Sequence, residues 1–340
     1  MSLDSIVNIT IDTKSLQMAQ AGFGVPLIIA PAEDLKAGRV KIFKELSDLS
    51  CIKPESACYR MAQNLLAQSP RINLAKIGFR LKGESIPEAL SAIINEDADF
   101  YGVLLVNEHG DDHEAYKKDV LSLAESIANK RLLAGIDIDA HQLFIAQELK
   151  EKRYSNIFMT FRVDPEKYLS AALMGKMLPK MPGSSSWAFK ELTGIKPQKI
   201  NLALSEELKN LNINRYIAIS SQGLSLDGKV AKGEFIDVVH GRAWLQVRMQ
   251  ERLFRLFMLN DKIPFTTKGL DLVRCEISAQ LSDAVHRGFL AAEPKPEVFI
   301  PSLHDIDTTA REKRILPDVT FSAHAAGAIH EIEIRGTINF

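Results

Sequence analysis

A rhythm of apolar runs and amphipathic stretches over residues 25–178 constrains the fold more than any other feature of the chain. "VPLIIA" (25–30) is apolar without a break, which suits a strand buried on both faces. "CYRMAQNLLAQ" has helical spacing, and "LAKIGFRL" (74–81) returns to strand character. "SIPEALSAIINE" opens on Ser85 as a cap, with Pro87 in the first turn and Glu88 three residues after the serine. "FYGVLLVNE" (100–108), "RLLAGIDID" and "NIFMTFRV" (156–163) read as further strands, separated by the helices "EAYKKDVLSLAESIANK" and "HQLFIAQELKEKR". Strands that alternate with helices of about 10–15 residues build βαβ units on a mostly parallel sheet. An α/β domain is therefore expected over residues 25–178.

"PKMPGSSSWAF" (179–189) interrupts the rhythm with prolines, a glycine and a serine run, and a domain boundary is expected there. Beyond it, "RYIAISSQGLSLDGKVAKGEFIDVVHG" holds strand-like pieces joined by glycine turns, with Asp227-Gly228 as the hairpin signal. Two long helices follow, "RAWLQVRMQERLFRLFML" and "TKGLDLVRCEISAQLSDAVHRG". "LPDVTFSAHAAGAIHEIEIRGTINF" closes the chain as two β segments around a small-residue hinge. That order of elements suggests an α+β domain over residues 179–340.

A composition of 46% hydrophobic and 25% charged residues supports a sizeable core without disulfides or metal. The formal net charge of -1 gives no global attraction to nucleic acid or to an anionic membrane. Cys51, Cys58 and Cys275 are odd in number and lack C-x-x-C spacing, which fits free thiols in a reduced compartment. The opening "MSLDSIVNITIDTK" lacks the basic region and long apolar run of a signal peptide. No stretch reaches the ~18 apolar residues of a membrane span. A soluble protein made and kept in a cytoplasm is the expectation.

Reaction-centre motifs are sparse. The chain has no G-x-x-x-x-G-K-[ST] loop and no G-x-S-x-G elbow, and Gly22-Phe23-Gly24 lacks the third glycine of a dinucleotide fingerprint. Two acidic loops follow strands, where a parallel sheet presents its ligands. His109, Asp111, Asp112, His113 and Glu114 form the first, and "DIDAH" (137–141) the second. A metal site at His109 and His113, or acid–base work by paired carboxylates, is one reading. A solvated loop in which Asp111 or Asp112 caps the next helix is the plainer one. His324 and His330 flank the last hinge, where structural or solvated roles fit best. No catalytic, cofactor-binding or metal-binding residue is assigned, and a soluble α/β enzyme stays open as an alternative.

The ends of the chain are better specified than any site. Val7, Ile9 and Ile11 alternate with polar residues over 6–12, and Ile332, Ile334, Ile338 and Phe340 do the same over 332–340. A lone strand needs a ladder partner, within its own molecule or on a neighbour. The linker over 17–24 with Gly22 and Gly24, and the hinge around Gly327, would let either strand leave its subunit. In the first long helix, Arg248, Arg252 and Arg255 fall within one narrow arc, with Trp244, Val247, Phe254 and Met258 turned partly the other way. That basic stripe is either a solvated face or a contact for an acidic partner.

Taken as a whole, the chain resembles the contractile tail sheath proteins of myovirus-type phages and related tail-like particles. The resemblance lies in "SIVNITIDT…QAGFGVPLI", "KYLSAALMGKMLPKMPGSSSWAFKELTGI", "SLDGKVAKGEFIDVVHGRAWLQVRMQERLFRLF" and the closing "LPDVTFSAHAAGAIHEIEIRGTINF". It implies a structural polymer rather than an enzyme, without cofactor or metal. Its implied partners are copies of itself in a helical sheath of stacked rings, the tail tube protein, and baseplate and tail-terminator proteins, with no direct nucleic acid or membrane contact. The place of work would be the tail of the virion, after assembly in the host cytoplasm. Residues 1–24 would form an N-terminal arm and linker, 25–178 an inserted outer α/β domain, and 179–340 an inner domain ending in a strand arm over 329–340. The arms would pair with the sheets of neighbours, and Arg248, Arg252 and Arg255 become tube-contact candidates.

Overall fold

The structure, a computed structural model, describes residues 22–32, 35, 38–164 and 166–338. Its first half runs β1 (Pro26–Ala32), β2 (Val40–Phe43), α1 (Ala57–Leu66), β3 (Ala75–Leu81), α2 (Ile86–Glu96), β4 (Gly102–Leu105), α3 (His113–Ile127), β5 (Leu133–Ile138), α4 (Leu143–Glu151), β6 (Ile157–Phe161) and α5 (Leu169–Met177). β1 lies parallel to both β3 and β4, and parallel pairing continues through β5 to β6. β2 runs antiparallel to β3 and closes one edge. α2 starts as its sequence requires. The Ser85 hydroxyl accepts the Glu88 amide, and the Glu88 carboxylate accepts the Ser85 amide at 2.9 Å.

Strand residues point alternately to two cores, which is why the apolar runs are continuous. Ile28, Ile77, Leu104 and Phe158 face one core with Met61 and Leu65 of α1 and Leu173 and Met174 of α5. Leu27, Ile29, Val103 and Ile136 face the other, with Leu90 and Ile93 of α2, Val120 and Leu123 of α3, and Ile145 and Leu149 of α4. The sheet is doubly wound.

The expected boundary at residues 179–189 is not an edge of this body. Trp187 is buried to 1% exposure, with Ala188, Leu192 and Ile195 also buried, and its ring meets Phe158 edge-on at 5.4 Å. What reads in sequence as a linker is a packed wall, because one large aromatic outweighs the local turn chemistry. α6 (Leu202–Asn210) follows, then β7 (Ile213–Ile219), parallel to β6, and β8 (Gln222–Leu226), antiparallel to β7. These two strands complete one eight-stranded sheet, ordered β2-β3-β1-β4-β5-β6-β7-β8.

The hairpin between β7 and β8 turns at Ser220 and Ser221, not at Asp227-Gly228 as the sequence suggests. Both serines are left-handed, with φ of 47° and 72°, and Ile219 faces Gln222 across the two-residue loop. Such a loop matches the twist of the strands. Asp227 and Gly228 are also left-handed, and they turn the chain away after β8. There the Asp227 carboxylate grips Arg215 of β7 at 2.9 and 3.1 Å.

The remaining elements are α7 (Ile236–Leu259), α8 (Thr267–His286), β9 (Glu297–Phe299), α9 (Thr308–Glu312) and β10 (Thr320–Ser322). α7 and α8 join the first core through Val239, Trp244, Leu245, Ile277, Leu281 and Ala284. β9 and β10 form a separate antiparallel pair, Phe321 opposite Val298. Among the described residues, no helix is long and apolar enough to cross a membrane.

Candidate functional site

The two acidic loops come together, but as structural joints. Asp112 caps α3 by accepting the Ala115 amide at 3.0 Å. His113 meets Gln142 at 3.1 Å, and its ring stacks on His141 with centroids 6.0 Å apart. Asp137 is buried and fully engaged. It accepts the Thr160 hydroxyl at 2.8 Å, the Ser170 amide at 3.0 Å and the Ser170 hydroxyl, which ties β5 and β6 to the first turn of α5. A helix N-terminus favours a carboxylate there, so Asp137 holds the start of α5.

Glu108, His109 and Asp119 form the one cluster with metal-ligand spacing among the described residues. Asp119 was not visible as a member from the sequence, because it lies a helical stretch away on α3. Arg80 already occupies the cluster. Its guanidinium bonds the Asp119 carboxylate and lies 2.9 Å from Glu108, while His109 Nε2 meets Asp119 at 2.8 Å. A metal ion would have to displace a cation that neutralises both carboxylates.

The C-terminal segment stands apart from these packed groups. Ile332, Ile334 and Ile338 are 76%, 87% and 83% exposed, and residues 327–338 form no strand with any described residue. Three isoleucines on even positions, bare to water, are an apolar stripe with no strand partner among the described residues. Val7, Ile9 and Ile11 lie outside the described residues, as does Phe340.

The expected hinges differ from one another. Gly327 adopts φ of 67° with open space where a side chain would stand, so it is a free turn. Gly22 is clamped. Its amide donates to Asp99 at 2.7 Å, and a Cβ would lie 2.6 Å from that carboxylate. Phe23 then buries its ring against Tyr101 at 4.9 Å and His240 at 6.0 Å. Gly24 packs beside the Leu178 carbonyl. The chain at residues 22–24 is fixed.

Of the three arginines of the basic stripe on α7, two turn inward. Arg248 bonds Glu251 at 2.6 Å and holds its guanidinium 5.7 Å from the Phe23 ring centre. Arg252 reaches Gln280 at 2.8 Å and Glu276 at 3.5 Å, both on α8. Arg255 is exposed. Phe254 and Met258, expected on the packed side, are also more than half exposed, together with Phe257 and Leu259. Leu256, between them, is buried at 7%, so the last turns of α7 bury a single narrow edge and leave the rest to solvent.

This architecture is the fold of contractile sheath subunits. At 14% identity, it superposes on the contracted helical sheath of the anti-feeding prophage with a TM-score of 0.70, covering 97% of this chain and 98% of that one. The sheath of an extracellular contractile injection system, PVC, in its contracted state, gives 0.68 at 14% identity over 97% and 95%. A sheath tail protein from Desulfitobacterium hafniense gives 0.59 at 9% identity over 86% and 93%. In sequence, residues 236–294, which hold α7 and α8, match the family described as E217 tail sheath protein gp31-like, C-terminal domain. Comparison with curated proteins by sequence gave no match.

Proposed function

We propose that this chain is the structural subunit of a contractile sheath in a phage tail or tail-like particle. The observation that carries the reading is the correspondence of fold over nearly the whole length of sheath subunits, with the tail sheath sequence match on α7 and α8. In this reading subunits polymerise around a tail tube in an extended, metastable state. Contraction then drives the tube through the host envelope. Baseplate and terminator proteins bound the polymer at its ends. The role is mechanical, and the acidic loops serve only to hold the α/β body together.

The bare isoleucine stripe supports a joint between neighbours. Each backbone hydrogen bond of an added strand contributes about 0.5–1.5 kcal/mol net, so four to six bonds supply several kcal/mol. The receiving sheet is assigned to β9 and β10 of a neighbour. Two strands of three residues, with Phe299 and Phe321 exposed, are marginal alone and gain from further strands. Residues 6–12 are assigned the same role at the other end. Residues 25–178, with β7 and β8 added to their sheet, are assigned outward, and the part from α7 onward faces the tube, with Arg255 beside Phe254 and Met258 as its contact. The doubly wound sheet also hosts enzymes, but no observation on its acidic loops favours that second reading.

Electron microscopy of the purified full-length protein tests the proposal. Tubes or stacked rings are expected. A protein that stays monomeric at high concentration, alone and with its tail tube, would overturn it.

A further inference from the structure

Between Gly327 and residue 338, His330 is the one residue that is partly buried. His330 places Nε2 2.8 Å from the Ser186 hydroxyl, and its ring stands edge-on to Phe189 at 5.3 Å and to Phe235 at 4.9 Å. Its neighbours on either side, Ile329 and Glu331, are exposed. Phe189 and Phe235 stand at the surface, exposed at 44% and 37%, on either side of the imidazole. Ser186 and Phe189 come from the serine-rich wall, and Phe235 is the residue that opens α7. Upstream, residues 324–326 are pinned by backbone bonds to residues 289–291, including the Ala326 amide to the Phe289 carbonyl at 2.9 Å. The free turn at Gly327 then lies between two fixed points.

We propose that Ser186, Phe189 and Phe235 form a socket for His330, and that His330 is the positioning residue of the C-terminal segment. Aromatic edges and one hydrogen bond hold the imidazole at a defined place and direction. The segment 331–338 therefore leaves the body from a fixed point at the start of α7, not from the flexible glycine. Phe23, which follows the clamped Gly22, is held by His240 and Arg248 of the same helix. Both terminal segments are thus mounted on one rigid element, within about 20 Å along its axis at ~1.5 Å per residue. Load entering by one arm reaches the other through α7 without crossing the sheet. The role of this mount rests on the sheath reading, whereas the socket does not.

The test is a distance measurement between spin labels on native Cys275, exposed on α8, and on Glu333→Cys, in a Cys51→Ser background that leaves Cys58 buried. A narrow distribution is expected for the otherwise native chain. His330→Ala, and separately Phe189→Ala on the body, should each replace it with a broad one, with thermal unfolding unchanged. A distribution equally broad in all three, or equally narrow in all three, would overturn the socket. Absence of polymers by electron microscopy would instead count against the sheath reading and leave the distance comparison intact.

Discussion

His240 of α7 stacks on Tyr101 with ring centroids 4.6 Å apart and 18° between planes, in a box completed by Phe23 and Trp187. Its Nε2 has no hydrogen-bond partner among the described residues, and burial pulls its pKa from 6.5 down to about 3. The unfolded chain therefore binds a proton near pH 6.5 that the folded chain refuses until about pH 3. Stability is complete above pH 6.5 and falls as the pH drops through that window, by up to ~1.4 kcal/mol per unit. His240→Phe keeps the stack and removes the titration. Urea midpoints measured from pH 7 to pH 4 should fall less steeply in the variant, and parallel curves would contradict a buried neutral imidazole.

Gly241, one residue on, lets Phe289 lie flat on α7. A Cβ there would sit 2.3 Å from the phenyl ring. Alanine favours helix over glycine by about 1 kcal/mol, but the forced shift of a buried ring costs roughly 1–3 kcal/mol, so the clash wins. Gly241→Ala should lower the urea midpoint without changing the slope of the transition.

Arg215 is buried, Asp227 is largely so, and the two are paired through two hydrogen bonds. Asp227→Ala leaves a guanidinium in the interior with its main counter-charge gone, at a cost of about 3–5 kcal/mol. Replacing both residues with apolar ones of similar size should recover much of that loss, as chemical denaturation of the single and double variants would reveal.

Deleting residues 331–340 should leave the thermal midpoint of the isolated subunit unchanged. Every residue in the described part of that segment is exposed. Polymerisation should be lost. Unfolding of the truncated body, seen by circular dichroism, would mean that the segment packs at home.

Zinc should not raise the melting temperature of the native protein, since Arg80 holds Glu108 and Asp119. Arg80→Met frees both carboxylates beside His109 and should create a zinc-dependent shift. A shift in the native chain would revive the metal reading.

The elements whose local pattern and packing agree were legible in the sequence. Continuous apolar strands, the capping box at Ser85 and the cap at Asp112 follow from periodicity and short-range hydrogen bonds, and the structure has them all. The bare alternation of Ile332, Ile334 and Ile338 also belongs to the sequence, because a period of two needs no tertiary information to recognise. The serine-rich stretch was misleading for a physical reason. Its glycine and prolines report turns, but Trp187 within it finds a core assembled from Phe158 and α7, residues far away in the chain.

Which groups meet across that distance was decided only by the tertiary structure. Asp119 joins His109, Arg252 turns to α8, Asp137 caps α5 and His330 finds Phe235, each by a contact that no local spacing encodes. The sequence by itself determined a doubly wound body and a terminal stripe in need of a partner, since strand and helix periods are properties of neighbouring residues. The fold decided that α7 would hold the roots of both terminal segments, because burial selects partners by position in space and not by order along the chain.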